Sequence, residues 1–346
     1  MVTFGRVVVV IASTVSVAVV QAAATLFDTP RSMATAERWI DEAAGRGAQL
    51  IVLPEALLGG YPRGARFGTA VGSRTAAGRE QFRRYFSAAI EIPGPETDRL
   101  AQLAARHQCE LVTGVIERAG YTLYCSAVIV GRDGHLRGVH RKLQPTGTER
   151  LIWGQGDGST LHVFDTPLGS IGAAICWENL MPALRLALYG QGVQFWCAPT
   201  ADARDSHLAT MRHVAVEGRC VVLAANQYAL RSDYPDDYDS ELPNDPASVV
   251  CRGGSIIIGP LGDILAGPLY GKPGVLVADI DPGDLVRARF DFDPVGHYAR
   301  PDIFHLEVDR TARSAVHYRD WATHVDEGDP AGLRDQLTDA TRDAAS

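Results

Sequence analysis

No block of basic residues, no metal-ligand spacing and no phosphate loop runs through this chain, and these absences remove several function classes at once. Asp and Glu number 41 against 33 Lys and Arg, a formal charge of -8 with the two signs interspersed. No basic stripe is therefore available to follow a nucleic-acid backbone. The six cysteines fall at irregular spacing among 346 residues, with neither a CxxC pair nor an HExxH helix. That argues against a disulfide framework and a zinc site, and for a reduced, cytoplasmic setting. The glycine-rich GQGDG at 154–158 does not join a strand to a helix, and no Walker A lysine follows it, so it reads as a turn. No repeat of the kind that builds solenoids or propellers recurs. The apolar run at 7–20 is broken by Ser13, Thr14 and Ser16, which argues against a membrane span.

What is present is a large apolar inventory, 46% of the residues, enough for a sizeable core in one domain. The pattern divides the chain into a leader or strand extension at 1–14, one domain at 15–308, and a polar extension at 309–346. The extension loses periodicity and is a candidate for oligomer contacts or partial disorder. Arg6, the apolar run and then Ala22, Ala23 and Ala24 imitate an export signal. Val17 to Val20 followed by Gln21 also read as the first core strand, leading through Asp28 to a helix bearing Ala36, Trp39, Ile40 and Ala43. A strand of the core could not be cleaved away, so retention is the better reading.

Further on, 49–54 (QLIVLP) is a compact apolar strand that delivers Glu55 at its carboxyl end, ahead of a GGYPRG loop at 59–64. An amphipathic segment at 79–90, a Pro-Gly-Pro breaker at 93–95 and a helix at 96–107 follow. Strands are predicted at 111–116, 121–130, 136–143, 193–198, 219–225, 255–258 and Gly274–Ile280. Residues 231–246, rich in Asp, Tyr, Pro and Ser, read as an exposed loop. Periodicity alone yields an α/β protein with mixed sheets.

Three residues at strand ends carry chemistry. Cys176 ends a small apolar run (Leu168, Ile171, Ala173, Ala174, Ile175) and precedes Leu180, Leu184, Ala187 and Leu188 at helical spacing. At a strand–helix junction, free backbone N–H groups and the positive helix end favour a thiolate, so a readily ionised nucleophile is the expectation. The competing reading is a small buried apolar residue. We assign that fate to Cys125, Cys197 and Cys220, which sit in apolar runs, while Cys109 and Cys251 have no acid–base company in sequence. Glu55 stands where catalytic groups of α/β folds cluster, though a helix N-terminal acid is an equal local reading. Lys142, flanked by Val139 and Leu143 and followed by Glu149, is either a surface lysine or a cation held charged by the acid and able to stabilise an anionic intermediate. Tyr61, Trp177 and His207 are candidate pocket residues.

The blocks LPEALLGGYPRG, HRKLQPTGTERLIWGQGDGS, GAAICWENLMPALR, APTADARDSHLATMRHVAVEGRCVV and DFDPVGHYARPDIF together resemble the nitrilase family, in family order. The resemblance implies a Glu55, Lys142, Cys176 triad, with Glu149 bracing the lysine, and a four-layer αββα sandwich that pairs into homodimers and larger spirals. It implies a nitrile and water as substrates, with no metal and no organic cofactor. Trp177-Glu178-Asn179 after the cysteine resembles true nitrilases of the plant and related bacterial type, rather than amidases or carbamoylases, which would use the same triad on an amide. The backbone N–H of Trp177 becomes the expected oxyanion donor. A catalytically silent scaffold on the same assembling surfaces is the remaining alternative, disfavoured by the complete residue set. Gln144 departs from the methionine frequent in the family.

Overall fold

The computed structural model describes residues 14–316. Its layers follow from the alternation along its strands, because successive side chains of a strand point to opposite faces. In β1 (Val15–Gln21), Val17 and Val19 enter one core, whereas Ala18 and Val20 enter another. The second core is completed by Ala36, Trp39 and Ile40 of α1 (Thr29–Gly45), which Asp28 caps by accepting from the Arg31 N–H. The hairpin β3 (Thr69–Ala70) and β4 (Ser73–Arg74) follows β2 (Leu50–Val52). Next come α2 (Ala76–Ala88) and α3 (Pro95–His107), then β5 (Glu110–Ala119), β6 (Thr122–Val130) and β7 (Leu136–Arg141). The first sheet is ordered β15-β1-β2-β5-β6-β7, where β15 is Gly274–Ile280.

The second half repeats the logic. Here β8 (Val163–Thr166), β9 (Gly169–Ala173), α4 (Pro182–Tyr189), β10 (Phe195–Thr200), α5 (Asp205–Gly218) and β11 (Val221–Asn226) lead to β12 (Tyr228–Leu230), β13 (Val249–Ile258) and β14 (Ile264–Tyr270). They form a sheet ordered β12-β13-β11-β10-β9-β8, with β14 on β13. Phe195 and Cys197 join the core shared with Val17, Val52 and Val112 of the first sheet, while Trp196 and Ala198 pack with Leu184, Leu188 and Val214 of α4 and α5. Helices cover both outer faces and the two mixed sheets meet in the middle, which is the αββα sandwich; α6 (Pro282–Ala288) follows β15.

A compact unit extends to Thr311, and the described residues of the next unit, 312–316, hold no strand or helix. Most of the expected leader (1–14) and extension (309–346) lies outside the described residues. Two readings need correction. Residues 231–246 are irregular but not simply exposed: Tyr234 and Tyr238 are buried with ring centroids 5.4 Å apart, and the Tyr238 hydroxyl donates to the Arg63 carbonyl. Tyrosine supplies enough apolar area to anchor a loop whose composition is otherwise polar. The helix after Cys176 does not begin at once either. A short 3-10 helix, Cys176–Leu180, comes first, and Pro182, whose ring suits a first helical turn, opens α4.

Candidate active site

Beyond the carboxyl end of β2 the chain turns sharply, with Ala56 at a φ of 53°, and Glu55 is left fully buried at the bend. Lys142 directly follows β7, also fully buried, and its ammonium donates to Glu55 Oε1 and Glu149 Oε2, each at 2.8 Å. The indole of Trp153 lies under it, 5.5 Å from Nζ to the ring centroid. Glu149 is oriented in turn: Oε1 accepts from the Tyr61 hydroxyl at 2.7 Å, and Oε2 accepts from the Thr146 N–H at 2.7 Å. Tyr61, predicted to line the pocket, thus acts first as a brace. It lines a cavity of about 410 Å³ with Arg63, Phe67, Thr148, Glu149 and Ile152.

Electrostatics follow from this burial. Burial opposes the charge on Lys142, but Glu55 and its neighbours outweigh it and hold the ammonium well above the ordinary lysine range. For Glu55, burial pushes the carboxyl up, Lys142 pulls it down, Glu149 pushes it up again, and the net direction is upward. Its Oε2 is buried and faces no hydrogen-bond partner, while Oε1 is taken by Lys142 and the Cys125 thiol, the latter at 3.5 Å. One oxygen of the central carboxylate is therefore free to accept a proton. Cys125, assigned above to inert core, belongs to this shell.

Cys176 tops β9 with φ at 53°, a left-handed backbone that a non-glycine residue adopts only when its surroundings impose it. The Asn179 amide imposes part of it by donating to the carbonyls of Cys176 at 2.7 Å and Ala174 at 3.0 Å. The expectation of easy ionisation is not met. Burial, then the neighbouring charge of Glu55, pushes the Cys176 thiol up to about 12, against the pull of Lys142 and of Thr200 and Ala201. A turn of five residues at a buried position supplies too small a dipole to offset desolvation. The resting group is a neutral thiol that needs a base.

Beside it, Trp177, Asp202, Arg204 and His207 line a second cavity of about 180 Å³ that opens on Cys176. The Trp177 indole donates to Asp202 Oδ2 at 2.9 Å and lies under the Arg204 guanidinium. His207, whose Nε2 is buried without a partner, is pushed down to about 4 by burial, so the ring facing this cavity is neutral near pH 7. Gln144 lines neither cavity and accepts instead from the Gln155 amide. Among the described residues no cluster of three or more His, Cys, Asp or Glu side chains is arranged to hold a metal ion.

Sequence reasoning missed Gln227, which donates to the Glu55 carbonyl at 2.7 Å; its signal was a polar pair, Asn226-Gln227, ending an apolar strand. It also missed His140 and Glu178, a buried pair with Nε2–Oε2 at 3.0 Å, although both stood within the blocks quoted above.

A glutamate–lysine–glutamate chain beside a cysteine, at the carboxyl ends of two facing sheets, matches what comparison with known proteins finds. The carbon-nitrogen hydrolase family model matches residues 16–290. The chain is 54% identical over 310 residues to the bifunctional nitrilase/nitrile hydratase NIT4A of Nicotiana tabacum, spanning 88% of this chain and 89% of that protein. It is also 54% identical over 299 residues to an aliphatic nitrilase of Sinorhizobium fredii, spanning 86% of this chain and 97% of that protein. In shape it is similar to a carbon-nitrogen hydrolase of Helicobacter pylori, with a TM-score of 0.67 at 20% identity over 84% of this chain and 97% of the other. The chain belongs to the carbon-nitrogen hydrolase family, among its nitrilases.

Proposed function

We propose that the protein hydrolyses an organic nitrile to a carboxylic acid and ammonia, with Cys176 as nucleophile, Glu55 as general base and Lys142 as the fixed cation, braced by Glu149. The observation that carries the assignment is the unpartnered Oε2 of a buried Glu55, in an enclosure shared with Lys142 and a neutral Cys176 thiol. Glu55 takes the thiol proton as sulfur attacks the nitrile carbon, and the nitrogen is protonated to give a thioimidate. Charge developing on that nitrogen is stabilised by Lys142 and by the backbone N–H of Trp177, the residue that follows the nucleophile. Water, deprotonated by Glu55, adds to the thioimidate; loss of ammonia leaves a thioester, and a second water releases the acid and restores the thiol.

The same tetrahedral adduct, losing the thiol instead of ammonia, gives an amide. Relatives named as both nitrilase and nitrile hydratase favour some partition toward it. We further read the enzyme as cytoplasmic and as a homodimer that builds larger homo-oligomers; no helix among the described residues is long and apolar enough to cross a membrane. A panel of aliphatic nitriles, arylacetonitriles and cyano amino acids, scored for acid, amide and ammonia, identifies the substrate. Replacing Cys176→Ala is expected to lower turnover by on the order of 10⁶-fold in a protein that still folds, because the groups act as one unit. Substantial nitrile hydrolysis by that variant would refute the assignment.

A further inference from the structure

The carboxylate of Glu178 is fully enclosed and shared among three donors from two different parts of the fold. Oε1 accepts from the Leu143 N–H at 2.7 Å, and Oε2 accepts from the Ile175 N–H at 2.7 Å. The third donor is the His140 ring, whose Nε2 lies 3.2 and 3.0 Å from the two oxygens. Leu143 is the neighbour of Lys142, and Ile175 is the neighbour of Cys176. A single side chain therefore ties the end of β7, in the first sheet, to the elbow after β9, in the second, at the residues adjoining the cation and the nucleophile.

The protonation of this clamp follows from its neighbours. Burial works against a charge on Glu178, but the His140 ring and the Leu143 and Ile175 N–H groups all favour the carboxylate over the acid and bring it below its ordinary range, so Glu178 is ionised near pH 7. His140 Nδ1 lies 3.3 Å from the Thr160 carbonyl, an acceptor only, and Nε2 faces the carboxylate, also an acceptor. Both ring nitrogens must donate, which makes His140 an imidazolium. Every polar atom of the pair is satisfied, so it is a closed structure with no capacity to exchange protons with substrate. Asn179, the next residue, continues the restraint. Its amide holds the Cys176 carbonyl at 2.7 Å, its own Oδ1 accepts from the Trp196 indole at 2.7 Å, and Arg185 donates to its backbone carbonyl at 3.0 Å.

We propose that Glu178, with His140, is a positioning residue for the reaction, setting the distance and angle between Lys142 and Cys176 across the two sheets. The left-handed backbone of Cys176 needs such an external restraint to persist, and Glu178 supplies it on the residue just before. A shift of about 1 Å between nucleophile and cation costs roughly 10²-fold in rate. The proposal rests on Cys176 being the nucleophile, and the experiment separates the two.

The test compares wild type with Glu178→Gln, whose amide keeps size and shape but offers one acceptor oxygen to two backbone N–H groups and sets a donor against the other. Folded protein is quantified by circular dichroism and by titrating the Cys176 thiol with iodoacetamide, followed by mass spectrometry. Turnover of the best nitrile from the panel is then expressed per titratable thiol. The expected result is a fall in kcat of about 10²-fold with KM within about threefold of wild type, because binding is retained while alignment is lost. A kcat per thiol within about threefold of wild type, together with a lower Tm, overturns the proposal and leaves Glu178 a purely structural residue.

Should Glu178→Gln fail to fold, His140→Gln decides. It leaves the carboxylate and its two backbone donors in place and is expected to lower kcat about tenfold at constant KM, whereas an unchanged kcat overturns the proposal. Wild-type enzyme alkylated at Cys176 serves as the control. If it remains active, the nucleophile assignment fails independently of what the variants do.

Discussion

Two buried carboxylate–cation clusters meet where β7 ends, and they are built on opposite plans. Around Lys142, Glu55 and Glu149 share one ammonium, and one oxygen of Glu55 is left without a partner. Around Glu178, each oxygen takes a backbone N–H and the His140 ring as well. The open cluster holds a polar atom in reserve at a cost in stability, since a buried acceptor without a donor forfeits a hydrogen bond. The closed cluster returns order instead. Burial therefore does not tell these two carboxylates apart; the completeness of their hydrogen bonding does.

Removing the charge of the open cluster should separate the two most sharply. Glu55→Gln is expected to lose turnover by roughly 10²- to 10⁴-fold for want of a general base, yet Cys176 should remain alkylatable. Glu55 is the second cause of the raised thiol, after burial. Without its charge, and with Lys142 still present, the midpoint of alkylation against pH should move below about 12. An unchanged midpoint would mean that Glu55 does not face the thiol.

A milder break lies at the rim. Tyr61→Phe deletes the bond from the hydroxyl to Glu149. A hydrogen bond to a charged group is worth roughly 1.5 kcal/mol, so kcat should fall about tenfold through loosening of Glu149 and Lys142. Steady-state kinetics with a nitrile decide it, and an unchanged kcat would show that Glu149 needs no brace.

The smallest effect is thermal and concerns the closed cluster. Burial works against the charge of His140, but Glu178 outweighs it and raises the ring above its ordinary 6.5. That stability is fully present below pH 6.5 and is lost as pH rises through the raised folded value. Burial pushes Glu178 up, but His140 and the two N–H donors bring it below 4.5, so its contribution is present above pH 4.5 and lost as pH falls through the lower value. The Tm of wild type should therefore decline on both sides of a plateau. In His140→Gln the alkaline decline should flatten; if both proteins decline alike above pH 6.5, the pair is not ionised.

Much of the scaffold could be read from periodicity. Apolar runs at 17–20 and 193–198 and the helical spacing of Ala36, Trp39 and Ile40 named elements that the structure places at 15–21, 195–200 and in α1, because burial on two faces constrains residue type locally. The sandwich could not be read that way, since a continuous apolar run says that both faces of a strand are covered but not by what. Its assignment came from resemblance in short blocks. Glu55, Lys142 and Cys176 were each found at a strand end, but their meeting depends on two sheets facing one another.

What the sequence supplied by itself is a set of candidate groups, Glu55, Lys142 and Cys176, each placed at or near the end of a strand by a short apolar run, with the roles proposed above implied by family resemblance. What the tertiary structure alone decided is their state. Cys176 was expected to ionise easily from its place at a junction, yet enclosure keeps it a neutral thiol up to about 12. Cys125, read as core, and Glu178, quoted only as part of a family marker, bond to groups of the site. The physical reason is that protonation depends on solvent exclusion and on charges from distant parts of the chain, such as Glu55 and Lys142, 87 residues apart, and a linear pattern carries neither.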